Sequence, residues 1–200
     1  MKIAIIGAGG HAKVVAEVAK SAGYEVVCFV ADDKKEHFGL AVISFDEFLK
    51  SDIKTAAIGI GDNAARKRVL ETLINNNIDC PALIHKSAAV SPSAVINEAT
   101  AVMPNAVINA DAVIGTGCIV NTAAVVEHDC TIGDFAHISP NAALAGGVSV
   151  GEMSHIGIGA NVIQLIKIGK ECIIGAGAAV ISNIPDNATA VGIPARVTKG

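Results

Sequence analysis

Three consecutive residues, Glu127-His128-Asp129, place an imidazole beside two carboxylates along the chain. Histidine is the side chain whose ordinary pKa lets it take up and release a proton near neutral pH. A carboxylate next to it can fix the tautomer and stabilise the imidazolium, as the second pair of a catalytic triad does. Asp129 and Glu127 are both candidates for that carboxylate. Two more histidines follow at related spacings: His137 nine residues on, and His155 eighteen beyond it. Three imidazoles could also hold zinc, so the trio carries a metal-site alternative. No serine–histidine pair and no activated cysteine stands out. Far upstream, Gly7-Ala8-Gly9-Gly10-His11 joins an apolar run to a segment of helical spacing. Bare backbone N–H groups at a helix N-terminus suit a phosphate. Gly7, Gly9 and Ala12 fit the GxGxxG/A pattern, and the acidic pair Asp32-Asp33 follows, as in a dinucleotide fingerprint.

Two periodicities predict what positions these residues. From Val90 to Val180 every sixth residue is Val, Ile or Leu, without a slip of register. Two places before each of these the residue is mostly small, as at Ala106, Ala112, Cys118, Ala124, Cys130 and Ala136. One place after, Gly or Asn is frequent (Asn109, Gly115, Asn121, Gly133, Gly151), and these types tolerate the positive φ of a sharp corner. A six-residue unit then supplies one short strand and one corner, and three units close a triangular coil. Stacked coils pair in parallel about 4.8 Å apart, around a column of inward side chains that no single coil could bury alone. The repeat predicts about five coils. Cys118, Cys130 and Cys172 fall in the small inward slot and read as core thiols. His155, one coil after His137, is expected to stack above it. His128 and His137, half a coil apart, face different sides of the prism. They can meet around one ligand only across a subunit boundary.

Residues 1–80 alternate differently. Strands are expected at 2–6, 25–30 and 55–60, and helices at 12–22, 45–49 and 63–75, which predicts a small parallel α/β sheet of Rossmann-like type. About three strands is half of what a full dinucleotide would need. The expected division is a nucleotide-binding α/β domain over 1–80 and a β-helix over 81–200. The segment from Ile184-Pro185 to Arg196 breaks the repeat and caps it.

Composition narrows the class. The chain is 52% hydrophobic and 17% charged, so it buries a large core; only 3% is aromatic, which favours narrow, repetitive packing. The net charge is −4 with no basic run, which argues against nucleic acid. Charges interrupt every apolar stretch before the length of a membrane-spanning helix. The opening has no signal-peptide architecture, and an odd number of cysteines without a CxxC pair points to a reducing, cytoplasmic setting.

The sixfold repeat resembles the hexapeptide-repeat acyltransferase superfamily, and that resemblance implies a left-handed parallel β-helix. Further motifs narrow it: the glycine turn, Ile58-Gly59-Ile60-Gly61-Asp62-Asn63 with Arg66, the run from Asn121 to Cys130, and Val191-Gly192-Ile193-Pro194-Ala195-Arg196. Together they resemble one family over essentially the whole chain. It contains the bacterial UDP-N-acetylbacillosamine N-acetyltransferases, the perosamine N-acetyltransferases and the sialic acid O-acetyltransferases, enzymes of glycan biosynthesis. The resemblance implies acetyl-CoA as co-substrate, no metal, a homotrimer with inter-subunit sites, and transfer to the 4-amino group of a UDP-linked amino-dideoxy sugar by direct attack. It implies His128 as general base, Asp129 as its carboxylate, and Gly146 as the N–H facing the thioester carbonyl. His137, Ile158 and Ala176 fall on CoA contacts, and Arg196 on a position bordering the CoA 3′-phosphate. Gly9, Gly10, His11, Asp32, Asp33 and Gly61 fall on sugar-nucleotide contacts. The chain departs from the pattern at Asp129, where the bacillosamine enzyme has Glu, and at Ala176, where it has Gly. The alternatives are O-acetylation of sialic acid or a related sugar and, from another class, a zinc β-helix enzyme that hydrates carbon dioxide.

Overall fold

A computed structural model describes residues 1–32 and 36–199, so Asp33 lies outside the described residues. The amino-terminal part runs β1 (Lys2–Ile6), α1 (Gly10–Ser21), β2 (Glu25–Val30), β3 (Val42–Ile43), α2 (Phe45–Lys50), β4 (Ala56–Ile58) and α3 (Asn63–Asn75). The sheet order is β3-β2-β1-β4, with every pair parallel. Ile3, Ala4 and Ile5 of the central strand are fully buried, because helices cover both faces. The sequence predicts three strands; β3 is the fourth. At two residues it is too short to show a period, and the pairing of Phe29 and Val30 with Val42 and Ile43 makes it a strand. Gly59 explains how α1 approaches so closely: a Cβ there would lie 2.6 Å from Ala12 Cβ.

From Leu83 the chain winds into a left-handed parallel β-helix with three faces. The first face carries Ala101–Val102, Ile119–Val120, His137–Ile138 and His155–Ile156. The second carries Val107–Ile108, Val125–Val126, Ala143–Leu144 and Asn161–Val162. The third carries Val113–Ile114, Thr131–Ile132, Ser149–Val150 and Lys167–Ile168. Partners lie eighteen residues apart, as in Ile119↔His137 and Val126↔Leu144. The inward aliphatics from Val102 to Val180 are at most 3% exposed. The helix makes about six turns, one more than predicted. Leu83–Ile84 starts it one unit early, and the chain closes it with Ile168↔Ile184 and Ile174↔Ala190. Those last pairs span sixteen residues, so the final coil loses two residues and the sixfold pattern ends there.

The corners correct one expectation. Positive φ falls three places after the inward aliphatic, not one, at Asn105, Asp111, Gly117, Ala123, Asp129 and Phe135, among others. The glycines one place after are there for proximity. A Cβ on Gly133 would lie 2.5 Å from Glu152 N, and one on Gly151 would lie 2.5 Å from the Gly169 carbonyl. The cysteines are core residues, as the slot predicts. Along the first face, polar members of that slot donate to the coil above: Thr100 Oγ1 to Gly115 O at 2.7 Å, Cys118 Sγ to Gly133 O at 3.1 Å, and Ser154 Oγ to Gly169 O at 2.7 Å. Burial pushes the Cys118 thiol up to about 12, which leaves it protonated and unreactive.

The α/β part docks on the first face. Leu83, Ala101, Met103 and Ile119 share a core with α1 and β1, while Phe135 joins Leu70 and Leu73 of α3. Asn63 Nδ2 donates to Met153 O at 2.8 Å, and Lys67 pairs with Glu152 at 2.7 Å. The far end closes with an antiparallel hairpin, Thr189–Val191 against Arg196–Lys199.

Candidate active site

His128 sits on the edge between the second and third faces, two residues after inward Val126. The left-handed turn at Asp129 (φ 60) swings its carboxylate back, and His128 Nδ1 donates to Asp129 Oδ2 at 2.7 Å. A carboxylate only accepts, so the neutral ring keeps its lone pair on Nε2. The bond to Asp129, above all, holds the His128 pKa above its ordinary value. Glu127 does something else: its Oε2 accepts from the His128 backbone N–H at 3.3 Å. Asp129 is therefore the ring's carboxylate, and the choice the sequence left open is made by the corner.

One coil on, Gly146 lies against the ring. A Cβ there would come within 2.6 Å of His128 Nε2 and Cε1, so only glycine leaves the ring where it stands. His128, Asp129, Gly146, Gly147, Gln164 and Leu165 line a cavity of about 380 Å³. A neighbouring trough along the second face shares Gln164 and reaches Glu127, Ala145 and Ala179. Ile158 and Ala176 stand exposed on the other edge of this second face, eighteen residues apart. Arg196 is exposed on the closing hairpin, where its Nη1 bonds only to Ala195 O.

The other predicted residues gather on the first face, opposite the edge that holds His128. Gly7 takes φ 104 at the end of β1, Gly9 caps α1 without a side-chain bond, and Gly10 and His11 open the helix. Asp32 follows β2 and Gly61 follows β4, so all of them except Asp33, which is outside the described residues, lie at the carboxyl ends of parallel strands, where α/β sheets bind ligands. The His11 ring lies 6.5 Å from the His137 ring. Burial lowers His11 to about 4 and His137 to about 3, so both are neutral. His155 stacks on His137 as the coil length predicts, with centroids 4.6 Å apart. Gly61, Asp62, Asn63, His137, His155 and Ile173 line a cavity of about 660 Å³ between the two parts of the chain.

Asn121 fixes the His137 tautomer. Its Oδ1 accepts from Thr122 N at 2.8 Å, which turns its Nδ2 toward His137 Nε2 at 3.0 Å. The proton of the neutral ring is then on Nδ1, and that atom is buried without a partner, as is His11 Nε2. Two orphaned ring nitrogens at this seam, one of them on a histidine that lines the cavity, are groups that a ligand can satisfy.

Some of this was missed in sequence. Ser139 Oγ lies 2.8 Å from His155 Nε2, a serine–histidine pair separated by sixteen residues, the same diagonal as Asn121 and His137. Knowing the eighteen-residue coil, a search at sixteen would have found both. Ser139 is only 4% exposed, so the pair supports a ring and offers no accessible nucleophile. His37, which no sequence motif singled out, sits edge-on to Phe29 with its Nε2 3.3 Å from Gly9 O, beside the glycine turn. Within one chain His128 lies on the edge opposite His137 and His155, so the zinc alternative brings the three together only across a subunit boundary. Among the described residues no group of three His, Cys, Asp or Glu could hold a metal ion.

An imidazole–carboxylate pair on the edge of a β-helix, with an α/β unit on the opposite face, is the build of a hexapeptide-repeat acyltransferase. Comparison with known proteins specifies the family. Residues 2–73 match the PglD N-terminal domain. A histidine-to-alanine variant of GDP-perosamine N-acetyl transferase from Caulobacter crescentus, solved with CoA and GDP-perosamine, is 40% identical, with a TM-score of 0.96 over 100% of this chain and 98% of that one. The acetyltransferase domain of PglB from Neisseria gonorrhoeae, solved with acetyl coenzyme A, is 41% identical, with a TM-score of 0.94 over 98% of each chain. UDP-N-acetylbacillosamine N-acetyltransferase from Bacillus subtilis is 44% identical over 103 residues; the match spans 46% of this chain and 47% of that protein. The chain belongs to this family of nucleotide-sugar N-acetyltransferases.

Proposed function

We propose that the protein transfers the acetyl group of acetyl-CoA to the 4-amino group of a nucleotide-linked amino-dideoxy sugar, with a UDP-linked sugar as the first candidate. The observation that carries this reading is the His128–Asp129 bond, which leaves the Nε2 lone pair free on a ring packed beside Gly146. The sugar amine attacks the thioester carbon. Nε2 takes the amine proton, the tetrahedral intermediate collapses with cleavage of the C–S bond, and the departing thiolate takes that proton back from Nε2–H to leave as CoA. A positioned base of this kind is worth about 10²- to 10⁴-fold in rate. The Gly146 N–H, placed beside the ring, is the oxyanion donor, and one such donor contributes about 3 kcal/mol.

The nucleotide diphosphate is held at the N-terminus of α1 by Gly9, Gly10 and His11, with Asp32, Asp33 and Gly61 around the nucleotide and sugar. The acetyl-CoA arm follows the second face from the edge of Ile158 and Ala176 toward His128, with Arg196 near the 3′-phosphate. His137 meets the thioester region from a neighbouring subunit. In one chain His128 and His137 lie on opposite sides of the prism, so a complete site takes residues from two copies of a homotrimer. Exposed Leu165, Ile163 and Ile181 beside the His128 edge favour such an interface. The α/β domain spans 1–80 and the acyltransferase domain 81–200. A reduced, cytoplasmic setting suits five free cysteines and a CoA donor.

The test is to incubate the protein with acetyl-CoA and a panel of UDP- and GDP-linked 4-amino sugars, with sialic acid included, and to follow thiol release. Turnover with a 4-amino sugar nucleotide is expected, and His128→Ala should lose about 10²-fold or more of it. Wild-type turnover in that variant, or acetylation of sialic acid alone, would overturn the reading. Light scattering should give three times the 20.2 kDa chain mass.

A further inference from the structure

Arg66 is 1% exposed, the largest fully buried side chain among the described residues, yet none of its hydrogen bonds goes to a carboxylate. Its five N–H groups are all used on neutral oxygens. Nε donates to Gly117 O at 2.6 Å, Nη1 to Ile60 O at 3.3 Å and Gly61 O at 3.0 Å, and Nη2 to Phe135 O at 2.8 Å and Asn63 Oδ1 at 2.9 Å. A buried charge with no carboxylate bonded to it is costly, and an apolar side chain of similar size would fill the space at less cost. What an apolar side chain could not do is hold these particular carbonyls.

Their positions are informative. Ile60 and Gly61 form the loop after β4, at the ligand-binding end of the sheet. Gly117 and Phe135 are the left-handed corners, φ 63 and 57, of two successive coils. Each corner lies two residues before a first-face strand, and the strand after Phe135 begins with His137. One planar guanidinium therefore fastens the nucleotide-side loop to the corner that launches His137. Its preformed fork suits this, where a lysine's single ammonium does not.

We propose that Arg66 is a positioning residue for acetyl transfer: it locks the Ile60–Gly61 loop against the Gly117 and Phe135 corners, whose coil ladder already holds His137, and so keeps the nucleotide-sugar side of the cleft in register with it. The inference rests on the function proposed above for the same cleft. Its charge has a second effect in the same direction. It faces His11, His137 and His155, adding to burial in keeping all three below the ordinary histidine pKa. Asp62 and Cys118 are the groups that act on Arg66 itself.

Three variants test this: Arg66→Met, Arg66→Lys, and Asn63→Ala, which removes one acceptor of Arg66 together with the Asn63 bond to Met153 O and leaves the charge. Each is checked for native circular dichroism and assembly before kinetics. In the folded variants the KM for the nucleotide sugar should rise about tenfold, one step of 1.4 kcal/mol, while the KM for acetyl-CoA stays within about twofold. Histidine NMR titration gives a readout independent of turnover. His11 and His137 should stay neutral at pH 5 in the wild type; Arg66→Met, which removes the charge but not the burial, should raise the midpoint of each ring, and Arg66→Lys should leave it in place. Should Arg66→Met and Arg66→Lys both fail to fold, Asn63→Ala and the wild-type titration still decide. Equal rises in both KM values, an unchanged nucleotide-sugar KM in a folded variant, or protonated His11 and His137 at pH 5 in the wild type would overturn the proposal. Absence of any transferase activity in the wild type would instead defeat the functional reading and leave the titration interpretable.

Discussion

The bond from His128 Nδ1 to Asp129 Oδ2 sets two properties of the base together, its tautomer and its affinity for a proton. The raised pKa means that the base protonates while the pH is still above the ordinary histidine value of about 6.5. The expected profile of kcat/KM therefore falls on its acid side with a midpoint above that value. Asp129→Asn keeps an acceptor for Nδ1–H but removes the charge, so the midpoint should move down and kcat should fall. Thiol-release rates from pH 5 to 9 give both numbers, and an unmoved midpoint would separate Asp129 from the base. Gly146→Ala probes the same ring from below. Its Cβ would collide with an exposed imidazole that can swing aside, since the His128 side chain is 61% exposed. Melting temperature should hardly change, while kcat should drop by about tenfold or more, the size of losing one well-placed donor or base contact.

At the scale of the element, the six-residue unit has two glycine-demanding sites with different reasons behind them. Gly133 must admit the next coil's backbone at 2.5 Å, whereas Gly177 has open space but φ +66. Backbone cannot yield as a side chain can. Gly133→Ala should therefore destabilise by about 1–3 kcal/mol, as overpacking does. Gly177→Ala should cost only about 1 kcal/mol of strain, because Leu165, Phe135 and Glu171 already adopt that conformation in the equivalent slot. Denaturant titration of the two variants side by side checks the order. The reverse order would restore the corner to the place the composition first indicated.

For the whole molecule, the seam between the α/β part and the β-helix makes stability depend on pH. His11 and His137 have folded pKa values near 4 and 3 against an ordinary 6.5, so below 6.5 the unfolded chain binds more protons. Stability then rises with pH across the window from about 4 to 6.5, and is lost as pH falls through it, by up to about 1.4 kcal/mol per pH unit for each ring. His128 has the opposite sign, but it is solvent-exposed and contributes little. Urea midpoints at pH 7 and pH 5.5 should differ in this direction, and His11→Gln should flatten the difference. Midpoints that are equal at both pH values would mean that the seam does not exclude water.

Much of this molecule is written in local spacing. A sixfold period names the inward aliphatics, the small slots, the buried cysteines and the edge that carries His128, because each depends only on where a residue falls within a coil of known length. The same arithmetic puts His155 over His137. The sequence also supplies the glycine turn and the strand-helix alternation around it, though not two-residue β3, which exists only through its partner. Other features needed the folded chain. The turn at Asp129, not adjacency alone, chose it over Glu127. The docking of the α/β part on the first face brought His11 to His137, buried Arg66 against Gly117 and Phe135, and left two ring nitrogens buried without a partner. No period encodes which of three similar faces a second unit covers. That choice follows from shape and from polar groups paired across long sequence separations, and these come together only when both units have already folded.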